Sequence, residues 1–413
     1  MPLRLSPVLA LLVVALAAAP RGQGGAGAVP GGFEIVDPVT VQATDYGVVT
    51  GALVNNTPAL ERAIYAAVSA RPPGRWARVV LPPDTTYYRG QLRINADSLQ
   101  IVGCGGAVVT RDTTSAEAPS PGAVYYPVRR ADRVDPGACV SVVRVLPGVF
   151  EACGGRGPQP TRWIVWSRGA RAARGYHRLA LADFVMDGNL AGNLDGLRRI
   201  ENKKGFLQDG VGHTALAANG HDQSQMCVDR PETLWLPGGR RVRRQGTQVG
   251  TLIEVRRVVV TGYAATGLVG DRCTRWRLDT VRAEDSPYNH VLYHTDGGVR
   301  WQDQAGMGDL GDLSGWGGAT HVTLAGSAWT YWVSQSGLAV DNLVFEGAAP
   351  NPLRRNGALV NARFGTVTVN GLTAAAPVPR GIADDTGGRT VVNPGAGAVP
   401  DRAALVLPPG ARE

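Results

Sequence analysis

The chain lacks most of what would name a chemistry at sight. Five cysteines in 413 residues are too few to staple a miniature disulfide fold, and none stands in a CxxC pair, which removes thiolate zinc modules. Charged residues are 18% of the total against 44% apolar, too few for a chain that stays disordered. After the first twenty residues no run is apolar enough to span a bilayer, so this is not a membrane bundle. Lysine is almost missing: two of the 42 basic residues, Lys203 and Lys204, are lysine. The arginines are scattered rather than gathered in a run or along a helix face, so the net charge of +8 marks no nucleic-acid partner. There is no phosphate loop, no HExxH and no nucleophile elbow. What is abundant is punctuation, with 55 Gly and 28 Pro, which favours many short strands joined by turns over helices. An all-β architecture is expected.

The first 28 residues read as an address. Arg4 precedes an unbroken apolar stretch from Val8 to Ala19, followed by Gly, Ala and Pro. That order is a secretory signal, too short for a retained transmembrane helix, which is the weaker reading. Pro20 argues against cleavage after Ala19, whereas Ala26-Gly27-Ala28 offers a small-x-small site. Export, to the medium or the cell envelope, permits disulfides, of which Cys139–Cys153 is the first expectation and Cys227–Cys273 the second.

Further on, one short pattern recurs: apolar, any, apolar, any, Gly. It occurs at Leu99–Gly103, Phe184–Gly188, Val258–Gly262, Val322–Gly326, Leu343–Gly347 and Val367–Gly371. The last three glycines are 21 and 24 residues apart, and degraded copies around Val281-Arg282-Ala283 and Val299-Arg300-Trp301 fit the same pitch. In a strand each copy sends two apolar side chains to one face, and the Gly supplies a bend that needs positive φ or no Cβ. One copy buries almost nothing. Stacked in parallel, the copies merge their inward pairs into one core. The expected fold is therefore a single-stranded right-handed parallel β-helix over residues 29–375, with a sandwich or jelly roll as the second choice. Two stretches rich in Arg, Gly, Pro and Asp, about 110–176 and 190–246, break the pitch and read as long lateral insertions that overhang the coil. Residues 376–413 read as a C-terminal cap or tail.

Near residue 45 the text changes. Thr57, as N-cap, and Pro58 open a helix with Leu60, Ile64 and Val68 on one face, suited to covering the first rung of the coil. Asp45-Tyr46-Gly47, then Asn55-Asn56-Thr57-Pro58 with its helix, then Val80-Leu81-Pro82 with Thr86-Tyr87, then Leu99–Gly103, resembles the start of the pectate-lyase-superfamily β-helix domain. This sequence departs from the family in having Thr50-Gly51-Ala52 for Gly-Asp-Gly, Asn55-Asn56 for Asp-Asp and Asp84-Thr85 for a lone Gly. Those are structural positions. The family includes polygalacturonase-like hydrolases, polysaccharide lyases, epimerases and phage tailspikes, so the resemblance implies a polysaccharide-facing surface and no single reaction.

The catalytic set of polygalacturonase-like members is missing. Asp384-Asp385 lies after the last repeat and reads as a solvated turn. Glycosidic cleavage needs two opposed carboxyl groups, one protonated and one ionised. Asp187, Asp209 and Asp285 are the candidates, with His290 beside them on the later turns. For Asp187 the plain alternative is an Asp-Gly turn. His290 and His294 on one strand would lie about 13 Å apart, too far to grip one ion. Gly306–Gly311 matches the dinucleotide fingerprint in letters only, without a βαβ unit. No cofactor is named by the sequence, though a lyase would need Ca²⁺-binding carboxylates and an Arg or Lys base. Two functions follow: a carbohydrate-active lyase or hydrolase on an acidic polysaccharide, or a non-catalytic glycan-binding protein of the cell envelope.

Overall fold

The computed structural model describes residues 32–104, 139–149, 161–165, 177–193, 213–218, 233–236, 240–243, 251–263, 266–270, 274–286, 289–293, 318–334, 338–348, 357–375 and 377–393, less 95, 97, 329, 363–365 and 386. The signal segment lies outside them. β1 (Val39–Gln42) is followed by helix α1 (Thr57–Ala70), and two coils come next. The first is β2 (Ala77–Val80), β3 (Asp84–Tyr88) and β4 (Gln91–Ile94), and the second is β5 (Leu99–Val102), β6 (Ser141–Val145) and β7 (Thr161–Val165). From β8 (His177–Asp187) the first two sides of each coil fuse into one bent strand, and β9 (His213–Ala218) is the third side. After the hairpin β10 (Thr233–Leu236) and β11 (Arg240–Arg243), the alternation runs β12 (Thr251–Thr261), β13 (Thr266–Gly270), β14 (Thr274–Glu284), β15 (Asn289–Tyr293) and β16 (Gly318–Gly326). It ends with β17 (Thr330–Ser334), β18 (Leu338–Ala348), β19 (Val360–Ala362), β20 (Thr366–Ala374) and β21 (Arg389–Asn393).

Every pairing but β10–β11 is parallel, in a 12-stranded sheet and a 7-stranded sheet that share the chain alternately. This is a parallel β-helix. Its axis is held by inward columns such as Val143, Met186, Val260, Ala283, Leu324 and Phe345, all in the core. Each large member of such a column contributes about 1.5–3 kcal/mol by burial. Helix α1 packs against β1, β2 and β4 with Leu60, Ala63, Ile64 and Ala67 buried. Its N-cap is Asn56 rather than Thr57; the Thr57 hydroxyl donates instead to the Arg89 carbonyl at 2.8 Å.

The bend inside each long strand has one cause. Asp183, Arg257, Thr280, His321 and Asn342 stack on neighbouring rungs, each with φ between +50° and +62°. A left-handed residue turns the strand by a corner without breaking the ladder. Arg and Thr tolerate that region poorly, so the stacking on either side holds them there. Arg257 is further fixed by Nε and Nη2 donating to Asp183 at 2.6 and 2.7 Å.

The repeat splits between two registers. Phe184–Gly188, Val258–Gly262 and Val322–Gly326 stack on the second side of the coil together with the degraded copy from Val281, and Leu343–Gly347 joins them through a bulge. Leu99–Gly103 and Val367–Gly371 stack on the first side, so that Gly371 (φ +71°) follows Asn342 in the left-handed column. Both corners accept Gly, and a five-letter pattern does not distinguish them.

The insertion limits also change. Within 110–176, β6 and β7 are coil strands, and within 190–246 so is β9. Each is a short segment between runs of Arg, Gly and Pro, too brief to register as a repeat. The parallel sheet likewise continues into the tail through β21. The expected Cys139–Cys153 bridge is replaced by Cys104–Cys139. Cys104 follows β5 and Cys139 precedes β6, and the Cys104 N–H donates to Ser141 Oγ at 3.2 Å; adjacent coil segments, not neighbours in sequence, bring these thiols together. Cys153 and Cys227 lie outside the described residues, as does Cys273.

Candidate functional site

The fourth letter of the repeated pattern points outward, away from the core. On the second side of the coil these positions form a column: Tyr87, Arg144, Asp187, Thr261, Glu284 and Ala325 pair rung by rung. Next comes a bulge. Leu324 pairs with Phe345 but Ala325 pairs with Gly347, which leaves Glu346 as the extra residue. In the neighbouring outward column Val142, Val185 and Val259 form a small apolar cluster, and Arg282 follows Val259. A coil needs none of these charges for its core, yet they form one stripe along its side.

The charges are tied in two knots. Arg144 Nε donates to Asp187 Oδ2 at 2.7 Å, and the Asn189 N–H donates to Asp187 Oδ1 at 2.7 Å. Arg282 Nε donates to Glu284 Oε2 at 2.6 Å, while Nη1 and Nη2 donate to the two Glu346 oxygens at 2.9 and 2.7 Å. Exposure differs sharply: the side chains of Asp187 and Glu284 are 2% exposed, Arg282 11% and Glu346 26%. Thr261, between Asp187 and Glu284, has a buried hydroxyl with no hydrogen-bond partner among the described residues.

Burial raises the Asp187 carboxyl above its ordinary range, against the pull of Arg144 and the Asn189 N–H, and the charge of Glu284 pushes the same way as burial. Burial works against the Arg282 charge, but Glu284 and Glu346 outweigh it and hold the guanidinium above its ordinary value. Behind the stripe, inside the coil, the hydroxyls of Tyr88 and Tyr263 meet at 2.9 Å. Desolvation raises both phenols, and the Asp187 charge adds to it.

Of the four residues singled out from sequence, Asp187 lies in this stripe. Asp285 is adjacent but has another place: it occupies the glycine column between Gly262 and Gly326, with φ +51°. It is fully buried and accepts the Ser327 N–H at 3.3 Å. Asp187 and Asp285 are thus not a facing pair; the acid in register with Asp187, two rungs on, is Glu284. His290 belongs to β15 in the other sheet, and its side chain is outside the described portion, as is all of Asp209. The partners that sequence inspection passed over, Arg144, Arg282, Glu284 and Glu346, carry a legible signal. Reading the fourth letter down the copies, rather than each copy along its length, collects Asp187, Glu284 and Glu346.

Among the described residues no three His, Cys, Asp or Glu side chains gather as a metal site, and no helix is long and apolar enough to cross a membrane. A second polar ladder runs along the first side of the coil through Asp279, Thr320, Asp341, Asn370 and Asn393, where Asn370 donates to Asp341 at 2.7 Å and Asn393 to Asn370 at 2.8 Å. Asp385 is a turn residue: its oxygens accept the Thr390 N–H and hydroxyl at 2.7 and 2.6 Å.

No family model matches the sequence, and no curated protein matches it. Solved structures of similar shape include the A-module of the mannuronan C-5 epimerase AlgE6 from Azotobacter vinelandii, at 12% identity and TM-score 0.43, over 85% of this chain and 74% of that one. DFA-IIIase from Arthrobacter chlorophenolicus is similar at 10% identity and TM-score 0.30, over 90% of this chain and 98% of that one. The gp42 tailspike of Acinetobacter phage vb_AbaP_AS12 is similar at 9% identity and TM-score 0.36, over 82% and 46%. At these values the likeness carries no argument about reaction.

Proposed function

We propose that the protein is exported and is a carbohydrate-active β-helix that takes an acidic polysaccharide along the stripe of Arg144, Asp187, Arg282, Glu284 and Glu346. The observation that carries this is the stripe itself. Ionisable groups are kept out of water on the outside of a coil whose core does not use them, and a buried ion pair is weak evidence of a stabilising role. Rungs repeat about every 4.8 Å, comparable with one sugar ring, so a polymer lying along the axis advances about one rung per unit, and the group of the stripe most open to it is Glu346, 26% exposed. Arginine forks suit uronate carboxylates.

For cleavage, by lyase or hydrolase chemistry, the supporting feature is the pair of acids in register. Asp187 and Glu284 are each buried against an arginine Nε, of Arg144 and Arg282, and burial favours the neutral form of Asp187, the form a general acid requires. Their backbones are two rungs, about 9.6 Å, apart on one side of the coil. Asp209, Asp285 and His290 remain further candidates. The second reading, a non-catalytic glycan-binding envelope protein, is favoured by a different fact: both oxygens of Asp187 are already engaged.

Purified protein incubated with polygalacturonate, alginate, a glycosaminoglycan and neutral dextran decides between them. Retention of an acidic polymer in affinity electrophoresis is expected, and new reducing ends or unsaturated products that vanish in Asp187→Asn mark the enzyme. Retention without products marks the binding protein. If no acidic polymer is retained or altered, the proposal fails.

A further inference from the structure

We propose that Glu346 is a resident occupant of a carboxylate-binding site formed by Arg282, and that the carboxylate of an acidic sugar displaces it. This rests on the polysaccharide reading above and specifies how the chain recognises the polymer. Arg282 is held from behind through Nε by Glu284, which is almost fully buried. Its Nη1 and Nη2 fork, the part that recognises a carboxylate in two parallel bonds, is filled by both oxygens of Glu346. The two acids differ in mounting. Glu284 sits in a regular rung, whereas Glu346 is the extra residue of a bulge, two strands away from Arg282 and 26% exposed. Bulges re-aim a side chain out of the ladder's alternation, and here the re-aimed group spans a strand to reach the fork. The inner acid therefore sets the orientation of the guanidinium, and the outer one, with its solvent-facing approach, is the exchangeable partner. Displacement breaks two hydrogen bonds to Glu346 and forms two to the incoming carboxylate, with no change in proton count.

The test is the affinity of full-length wild-type protein and three variants for polygalacturonate and alginate, with dextran as the neutral probe. Glu346→Gln is expected to bind the acidic polymers on the order of tenfold more tightly. Its gain is lost in the double variant Arg282→Gln/Glu346→Gln. Asp384→Asn, which removes the same charge at an exposed turn, leaves affinity at the wild-type value and so separates displacement from net charge. Thermal unfolding confirms that each variant is folded. Should Glu346→Gln not fold, Glu346→Asp, which keeps the charge on a shorter arm, is expected to give a smaller gain in the same direction. Equal or weaker binding by the folded Glu346 variant, or an equal gain in Asp384→Asn, overturns the proposal while leaving the polysaccharide reading standing. Failure of every form to retain any acidic polymer removes the reading on which it rests.

Discussion

Asp285 Oδ1 fills the space that a side chain on Gly326 would need. Gly326 also has φ +78°, so its substitution meets a steric and a conformational obstacle together. Gly326→Ala is expected to lower stability by about 2–4 kcal/mol, read from urea unfolding. Asp285→Gly in the same chain restores the glycine column and should recover part of the loss. An additive double variant would show that the two residues do not meet.

Arg144 and Asp187 predict a second asymmetry. Arg144→Met leaves a buried carboxylate without its cation and should cost about 3–5 kcal/mol. Arg144→Met/Asp187→Leu removes both charges and should cost distinctly less than the single change. Equilibrium unfolding of the four corners of this cycle measures the coupling; a coupling near zero would contradict the buried pair.

The pH dependence follows from the direction of the Asp187 shift. A carboxyl whose native value lies above its unfolded value binds more protons when folded, so its contribution to stability is present at low pH and lost as pH rises through the native value. Wild-type protein should therefore lose stability relative to Asp187→Asn as pH is raised from about 4 towards 7. Urea midpoints of both proteins across that interval test the sign, and parallel curves would exclude it.

Cys104 and Cys139 should appear as one cross-linked peptide in non-reducing mass mapping of the protein purified under oxidising conditions. Cys104→Ala/Cys139→Ala should lose about 3–4 kcal/mol, the loop-closure value for a bridge spanning 35 residues. Recovery of Cys139 bridged to Cys153 would instead return to the pairing expected from sequence.

Much of the architecture was legible because a coil repeats. The apolar pairs at 184 and 186, 258 and 260, 322 and 324 announce an inward face, and the glycine after each announces a corner. The same economy hid the second register. Leu99–Gly103 and Val367–Gly371 have the identical spelling but turn the other corner, since any apolar pair can face inward on either side. The candidate site was half legible. Asp187 stood out beside its glycine, but its partners come from residue 144 on one side and residue 284 on the other, and only the stacking of rungs makes them neighbours. Glu346 was hidden more deeply, because its reach to Arg282 depends on a bulge.

What the sequence alone determined was the repeating unit: strand, corner and pitch are local properties of a few residues, dictated by side-chain alternation and by glycine's freedom at positive φ. What only the tertiary structure decided was the partnership between rungs, including the ion pairs of Arg144 and Arg282, the Cys104–Cys139 bridge and the placement of Asp285 in a glycine's position. Those contacts join residues tens of positions apart, and a shift of one residue in stacking would have turned every outward charge inward. The register that prevents it is chosen by the packed core as a whole and by no single segment.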